Sequence, residues 1–188
     1  MEPWPICDDA VLRPFAESDA DELHAAIEAN RDHLSEWLPW APRQGRAQTL
    51  EFLRTAQRQA AANDGLQLAI VERGRIVGSA GFHTIDWPRR FTSIGYWLAR
   101  DAQGRGLATR AVRACVVHAF GEWRLERIEI RAAPENARSR AIPERLGFRE
   151  LGVLRGVERV GDRWVDHVVY ELQAADWPRP LSDRPDAP

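Results

Sequence analysis

No lysine occurs in the 188-residue chain; all 26 basic side chains are arginine. A GC-rich genome gives this bias together with the many alanines. It also leaves the chain without a side-chain amine that could be acylated. Cysteine is nearly missing. Cys7 and Cys115 cannot build a disulfide scaffold, and their separation is not that of metal ligands. No apolar run approaches the ~20 residues of a membrane helix. Residues 1–8 carry no basic-then-apolar leader, so the expected location is the reducing cytoplasm. Neither sign of charge dominates: 26 basic against 28 acidic residues give −2, which speaks against a dedicated nucleic-acid binder. The composition is 44% apolar and 29% charged, as in globular proteins. The length suits one domain with its own core.

Hydrophobic periodicity predicts a short strand over 9–15, then a helix opened by Ser18 in a capping-box-like Ser18-Asp19-Ala20-Asp21. An aromatic stretch with Trp37, Leu38 and Trp40 follows, then a helix over 47–62 ended by Asn63-Asp64-Gly65. Strands are expected over 66–72 and 75–82 around an Arg73-Gly74 turn, and over 91–99. A helix over 106–120, a strand over 127–131 and a helix over 136–146 stopped by Gly147 come next. A hairpin of 149–160 and 163–172 closes the pattern, with a single domain over 1–175 and a loose, proline-rich tail over 176–188. The two strands flanking the 106–120 helix should run parallel, because a strand–helix–strand unit crosses over. The rest can pair as antiparallel hairpins. The expected class is therefore α+β, with one mixed, mostly antiparallel sheet.

The most informative stretch is Gly95-Tyr96-Trp97-Leu98-Ala99-Arg100-Asp101-Ala102-Gln103-Gly104-Arg105-Gly106-Leu107-Ala108. A strand runs into a glycine-containing loop that opens a helix. The first helix amides have no internal partner, and the helix dipole adds positive potential there. Such a loop binds phosphate without lysine. It is not GxxxxGK[ST], nor GxGxxG, and no GxSxG elbow occurs, which disfavours P-loop, dinucleotide and α/β-hydrolase sites.

Gln103-x-x-Gly106-x-Ala108 resembles the acyl-CoA pyrophosphate signature of the GNAT acyltransferases, with alanine in its last, glycine-or-alanine place. Ile94-Gly95-Tyr96-Trp97-Leu98, Pro134-Glu135-Asn136-x-x-Ser139 and Glu144-Arg145-Leu146-Gly147-Phe148 are similar to the Rim-type branch, the ribosomal-protein N-terminal acetyltransferases and their relatives. The resemblance spans 9–173. It implies the GNAT fold, a splayed parallel strand pair, and direct transfer from acetyl-CoA to an amine, with no metal. It implies that Trp97 and Leu98 meet the pantetheine arm, and that Gln103, Gly104, Arg105, Gly106, Leu107 and Ala108 hold the pyrophosphate. Arg105, like Arg100 and Arg110, is equally readable as a solvated surface arginine.

The resemblance also gives Asn136 a contact with the CoA arm, beside its ordinary helix-capping use. It gives Ser139 the task of protonating or steadying the thiolate, where the plain alternative is a helix-start serine. Glu158 becomes a base or amine contact, as against a surface partner of Arg159 or Arg163. Trp37, Trp40 and His83 are candidates for the acceptor pocket, each with a structural alternative. Pro143 removes a helix amide, so the Ser139 carbonyl loses its partner and a kink is expected there. Asp166 and His167 alternate along a strand and should face opposite sides. Cys115 belongs to an apolar helix face.

An α-amine titrates near 7.7–8.0 and lysine near 10.4, so at pH 7.5 the neutral amine costs ~0.5 or ~4 kcal/mol. The resemblance therefore favours a protein N-terminus as acceptor, with a small amine next and a non-catalytic CoA-binding module as the rival class. Nucleic acid and membrane are not expected partners. Strand edges and the aromatic patch leave room for a homodimer.

Overall fold

In the computed structural model, which describes residues 1–178, eight strands form one sheet. They are β1 (Trp4–Cys7), β2 (Ala10–Pro14), β3 (Leu66–Glu72), β4 (Arg75–Phe82), β5 (Phe91–Leu98), β6 (Arg127–Ala132), β7 (Arg149–Val160) and β8 (Arg163–Gln173). The spatial order is β1-β2-β3-β4-β5-β6-β8-β7. Only β5 and β6 pair in parallel, as expected for strands joined through a helix. The helices are α1 (Ala20–Ala29), α2 (Arg31–Ser35), α3 (Arg46–Ala61), α4 (Leu107–Gly121) and α5 (Ala137–Arg145).

The period of two along the strands divides the core between the two faces of the sheet. On one face α4 buries Leu107, Ala111 and Cys115 against Ile94, Leu98, Ile128, Ile130, Val168 and Tyr170. On the other, α1 and α3 bury Leu23, Ile27 and Leu53 with Phe15, Ala69 and Ile76, and Trp97 packs there. Each leucine, isoleucine, valine and phenylalanine among them is worth about 1.5–3 kcal/mol of burial. Cys115 is fully buried, and burial pushes its thiol up to about 12, so it is inert.

Three sequence expectations need correction. The expected first strand at 9–15 leaves out β1; at the sheet's edge its Pro5 costs no ladder bond to a further strand. Ser18 does not cap the first helix. The chain enters through a 3₁₀ turn at Glu17–Asp19, and the Asp19 carboxylate accepts from the Ala16 amide (2.8 Å) and from both Arg13 terminal nitrogens. At the other end, Ala174–Asp176 form a 3₁₀ turn and Trp177 packs on the core, so the expected tail does not begin at 176. Its remainder from 179 onward lies outside the described residues.

Candidate active site

The parallel pair is short. β5 meets β6 at Phe91–Arg127, Thr92–Ile128 and Ser93–Glu129 only, while β5 runs on to Leu98 and β6 to Ala132. Beyond Ser93 the strands diverge, and a notch opens in the middle of the sheet. On the far side β5 stays paired with β4 through Leu98, with the His83 amide donating to the Ser93 carbonyl and the Ala99 amide to the Val77 carbonyl. Antiparallel pairing alternates, so the peptide groups of Gly95 and Trp97 turn to β4 and those of Tyr96 and Leu98 turn to the notch. Of the two residues expected along the pantetheine arm, Leu98 thus offers its backbone. Trp97 sends its side chain to the opposite face, 6.3 Å from the Trp40 ring.

β5 leads through a 3₁₀ turn at Arg100–Ala102 into the loop. Gly104 and Gly106 have φ of +77° and +76°, the left-handed region that an L side chain enters only with strain. Gly106 is the N-cap of α4 and no side chain caps that helix, so its first amides are free for an anionic ligand. Gln103 is held from two directions. Its Nε2 lies 2.6 Å from His33 Nε2 of α2, and its Oε1 accepts from Arg138 of α5 (2.8 Å). Arg105 donates instead to the buried Glu72 carboxylate (2.8 Å).

Asn136 caps α5 through its Oδ1, which accepts the Ser139 amide at 3.1 Å. Ser139 Oγ donates to the Tyr96 hydroxyl at 3.2 Å, and that hydroxyl donates to the Ser139 carbonyl at 2.9 Å. Pro143 lies inside α5, so this carbonyl has no helical amide partner. Burial pushes the Tyr96 phenol far above its ordinary range, and it stays neutral. Tyr96 was quoted within a motif but given no role; the carbonyl orphaned by Pro143 was the signal that could have found it.

Other candidates occupy the opposite face. His83 lies across Gly95; a Cβ at Gly95 would sit 2.9 Å from its Nε2. Its Nδ1 is 2.8 Å from Ser93 Oγ. Partial desolvation of the ring and then the Arg131 charge lower its pKa although the residue as a whole is exposed, so the imidazole is neutral at pH 7. Val168, Tyr170 and Leu172 point to the α4 face, so His167 points to the His83 side. His167 Nε2 lies 3.3 Å from Glu158 Oε2. Glu158 is not taken by either neighbouring arginine: Arg159 goes to Asp162, and Arg163 to the Glu36 carbonyl (2.6 Å). Asp166 turns away to Arg155 and the Gly156 amide. Sequence reasoning missed His167, because β7 holds Arg155, Gly156 and Val157 between Leu154–His167 and Glu158–Val165, and that bulge sets which residues meet.

Trp37 and Trp40 belong to a strap over this face. Arg31 binds the carbonyls of Ala41 and Gln44, and the Arg163 guanidinium lies 5.9 Å from the Trp37 ring centre. Among the described residues no group of three His, Cys, Asp or Glu side chains could hold a metal. No helix there is long and apolar enough to cross a membrane.

A notch fit for an extended arm and a loop fit for its phosphates match an acyltransferase that takes its acyl group from coenzyme A. The chain belongs to the GNAT acetyltransferases: residues 9–149 match the Acetyltransferase (GNAT) domain family. It is 34% identical to "Putative ribosomal N-acetyltransferase YdaF" of Bacillus subtilis (strain 168), over 88% of this chain and 92% of that one. It is similar to Mycobacterium smegmatis RimJ in complex with CoA-disulfide, at 30% identity and TM-score 0.85, covering 90% of this chain and 84% of that chain. It is similar also to the microcin C7 self-immunity acetyltransferase MccE in complex with acetyl-CoA and AMP, at 25% identity and TM-score 0.84, covering 89% and 94%. The Rim-type resemblance, the GNAT fold and acetyl-CoA as acetyl donor accord with these findings.

Proposed function

We propose that this N-acetyltransferase acetylates the N-terminal α-amine of a protein, and that a ribosomal protein is the acceptor. The observation that carries the reading is the division of groups about the notch, with Ser139 on one face and His83, His167 and Glu158 on the other. The likeness to the putative ribosomal N-acetyltransferase YdaF supports the acceptor class. The α-amine also asks least of the site, because its neutral form lies within ~0.5 kcal/mol at pH 7.5.

In the step itself the amine nitrogen bonds to the thioester carbonyl carbon and the C–S bond breaks. Ser139 Oγ–H turns to the sulfur, which leaves as a hydrogen-bonded thiolate. The proton shed by nitrogen passes to His83 Nε2, the neutral base beside the notch. Glu158 stands on the same face, on β7, two strands or about 10 Å beyond β6 and farther from His83. With His167, one strand nearer, it attracts the protonated N-terminus as it approaches, before the amine loses its proton and enters the notch. The loop amides of Gln103–Ala108 carry the pyrophosphate, Leu98 the arm, and Asn136 holds Ser139 in place.

Incubation with acetyl-CoA and a panel of ribosomal-protein N-terminal peptides and small amines, followed by release of free CoA thiol, tests this. Peptide-dependent release with acetylation at the α-amine is expected. Release with small amines alone would overturn the acceptor and favour the second reading, a small, nucleotide-linked amine, for which the MccE likeness is the motive. A thermal shift with CoA alone reads donor binding independently.

A further inference from the structure

We infer that Tyr96 is a positioning residue for Ser139, and that Pro143 is what commits it to that task. The inference rests on the reading of Ser139 as the group that meets the leaving sulfur.

Consider first the carbonyl. In an uninterrupted helix the Ser139 carbonyl would accept from the amide four residues on, but position 143 is proline and has none. A buried carbonyl without a donor is costly. The donor comes from another element, 43 residues away in sequence: the Tyr96 hydroxyl, at 2.9 Å. A carbonyl only accepts, so the single phenolic hydrogen is spent on it. The phenolic oxygen then faces Ser139 Oγ as an acceptor, at 3.2 Å.

The result is a closed cycle in which one side chain grips both the backbone and the hydroxyl of the same serine. It fixes the turn that carries Ser139 and its side-chain torsion, while Asn136 fixes the same residue's amide (3.1 Å). Tyr96 cannot itself supply the sulfur with a proton while its hydrogen is on the carbonyl. Its backbone faces the notch and its side chain faces α5, so it ties the strand along the arm to the helix that bears the serine. When Ser139 turns its hydrogen to sulfur, the grip on the carbonyl persists and the oxygen stays where it was.

The test is a set of variants in the full chain: Tyr96→Phe, Pro143→Ala, Ser139→Ala and the pairs. Turnover is read with acetyl-CoA and the acceptor found above, and stability by thermal unfolding. Tyr96→Phe should lower kcat by about 10- to 100-fold with the KM for acetyl-CoA little changed, and lower Tm by about 5 °C. Pro143→Ala restores an amide under the Ser139 carbonyl, so Tyr96→Phe in that background should lose at most half of that Tm shift and recover part of the rate. In the Ser139→Ala background, Tyr96→Phe should leave kcat unchanged within two-fold. A purely structural tyrosine would instead slow both backgrounds alike, and that result overturns the proposal. So does a full-rate Tyr96→Phe beside a slow Ser139→Ala. A full-rate Ser139→Ala defeats the reading of Ser139 instead, and is told apart from the other failures by that single variant.

Discussion

Gly95 shows how little separates a silent position from a functional one. Its missing side chain is the space that the His83 imidazole fills, with 2.9 Å to the place a methyl would take. Gly95→Ala should push His83 off the notch, slowing transfer while CoA binding holds; calorimetric titration of CoA beside acceptor kinetics checks this. His83→Ala should slow turnover by about 10²-fold or more, the range of a lost general base. Glu158→Gln should act on acceptor KM more than on kcat. The opposite ranking, with Glu158→Gln the more damaging to kcat, would make the carboxylate the base. The Asn136 cap was legible in the sequence because such a residue suits a helix start, and Ser139 lies three positions on; their tasks toward coenzyme A rest on the family resemblance. Tyr96, His83 and His167 were not assignable with equal force. Their partners lie on other strands and helices, and pairing register, not spacing, brings them together.

The loop from Gln103 to Ala108 is the part most readable before folding, since strand, glycines and helix start are contiguous and the chemistry is carried by backbone amides. Gly106→Ala adds a methyl with open space around it, so the cost is conformational strain at φ +76°, about 1–2 kcal/mol. We expect a lower Tm and a several-fold weaker CoA thermal shift, with turnover at saturating donor largely kept. The strap over the acceptor face makes a contrasting case. Arg163, at the tip of the β7–β8 hairpin, holds it through the Glu36 carbonyl and the Trp37 ring. Arg163→Ala should raise acceptor KM and leave the CoA shift alone. Helices α1, α3 and α4 announced themselves by 3.6-residue periodicity. β1 did not, because four residues with a central proline carry no pattern, and only pairing with β2 makes them a strand.

Three histidines make the fold's stability respond to pH in one direction. Burial lowers the pKa of His33, His83 and His118, with positive neighbours adding to the effect at the first two. His118 is packed between the Trp4, Phe82 and Trp123 rings, and its buried Nε2 has no partner among the described residues. A depressed histidine pKa means that the unfolded chain binds protons first. Stability is therefore complete above the unfolded value near 6.5 and falls as pH drops through 6.5 toward the folded values. Tm should decline as pH falls below about 6.5, and less steeply in His118→Leu; an equal decline in that variant would remove His118 from the account. The sheet has a further consequence. Donor loop and α5 lie on one side of it, and the strap, His83 and His167 on the other, so the acceptor wall can be rewritten by mutation without disturbing the donor grip. The exceptions are His33, which stands in α2 yet touches Gln103, and Asn30 at the start of α2, whose Oδ1 accepts the Arg100 amide at 2.8 Å. On the proposed roles, acceptor choice can drift along that wall more freely than at these stitches, where a change made for a new acceptor would also be felt by coenzyme A.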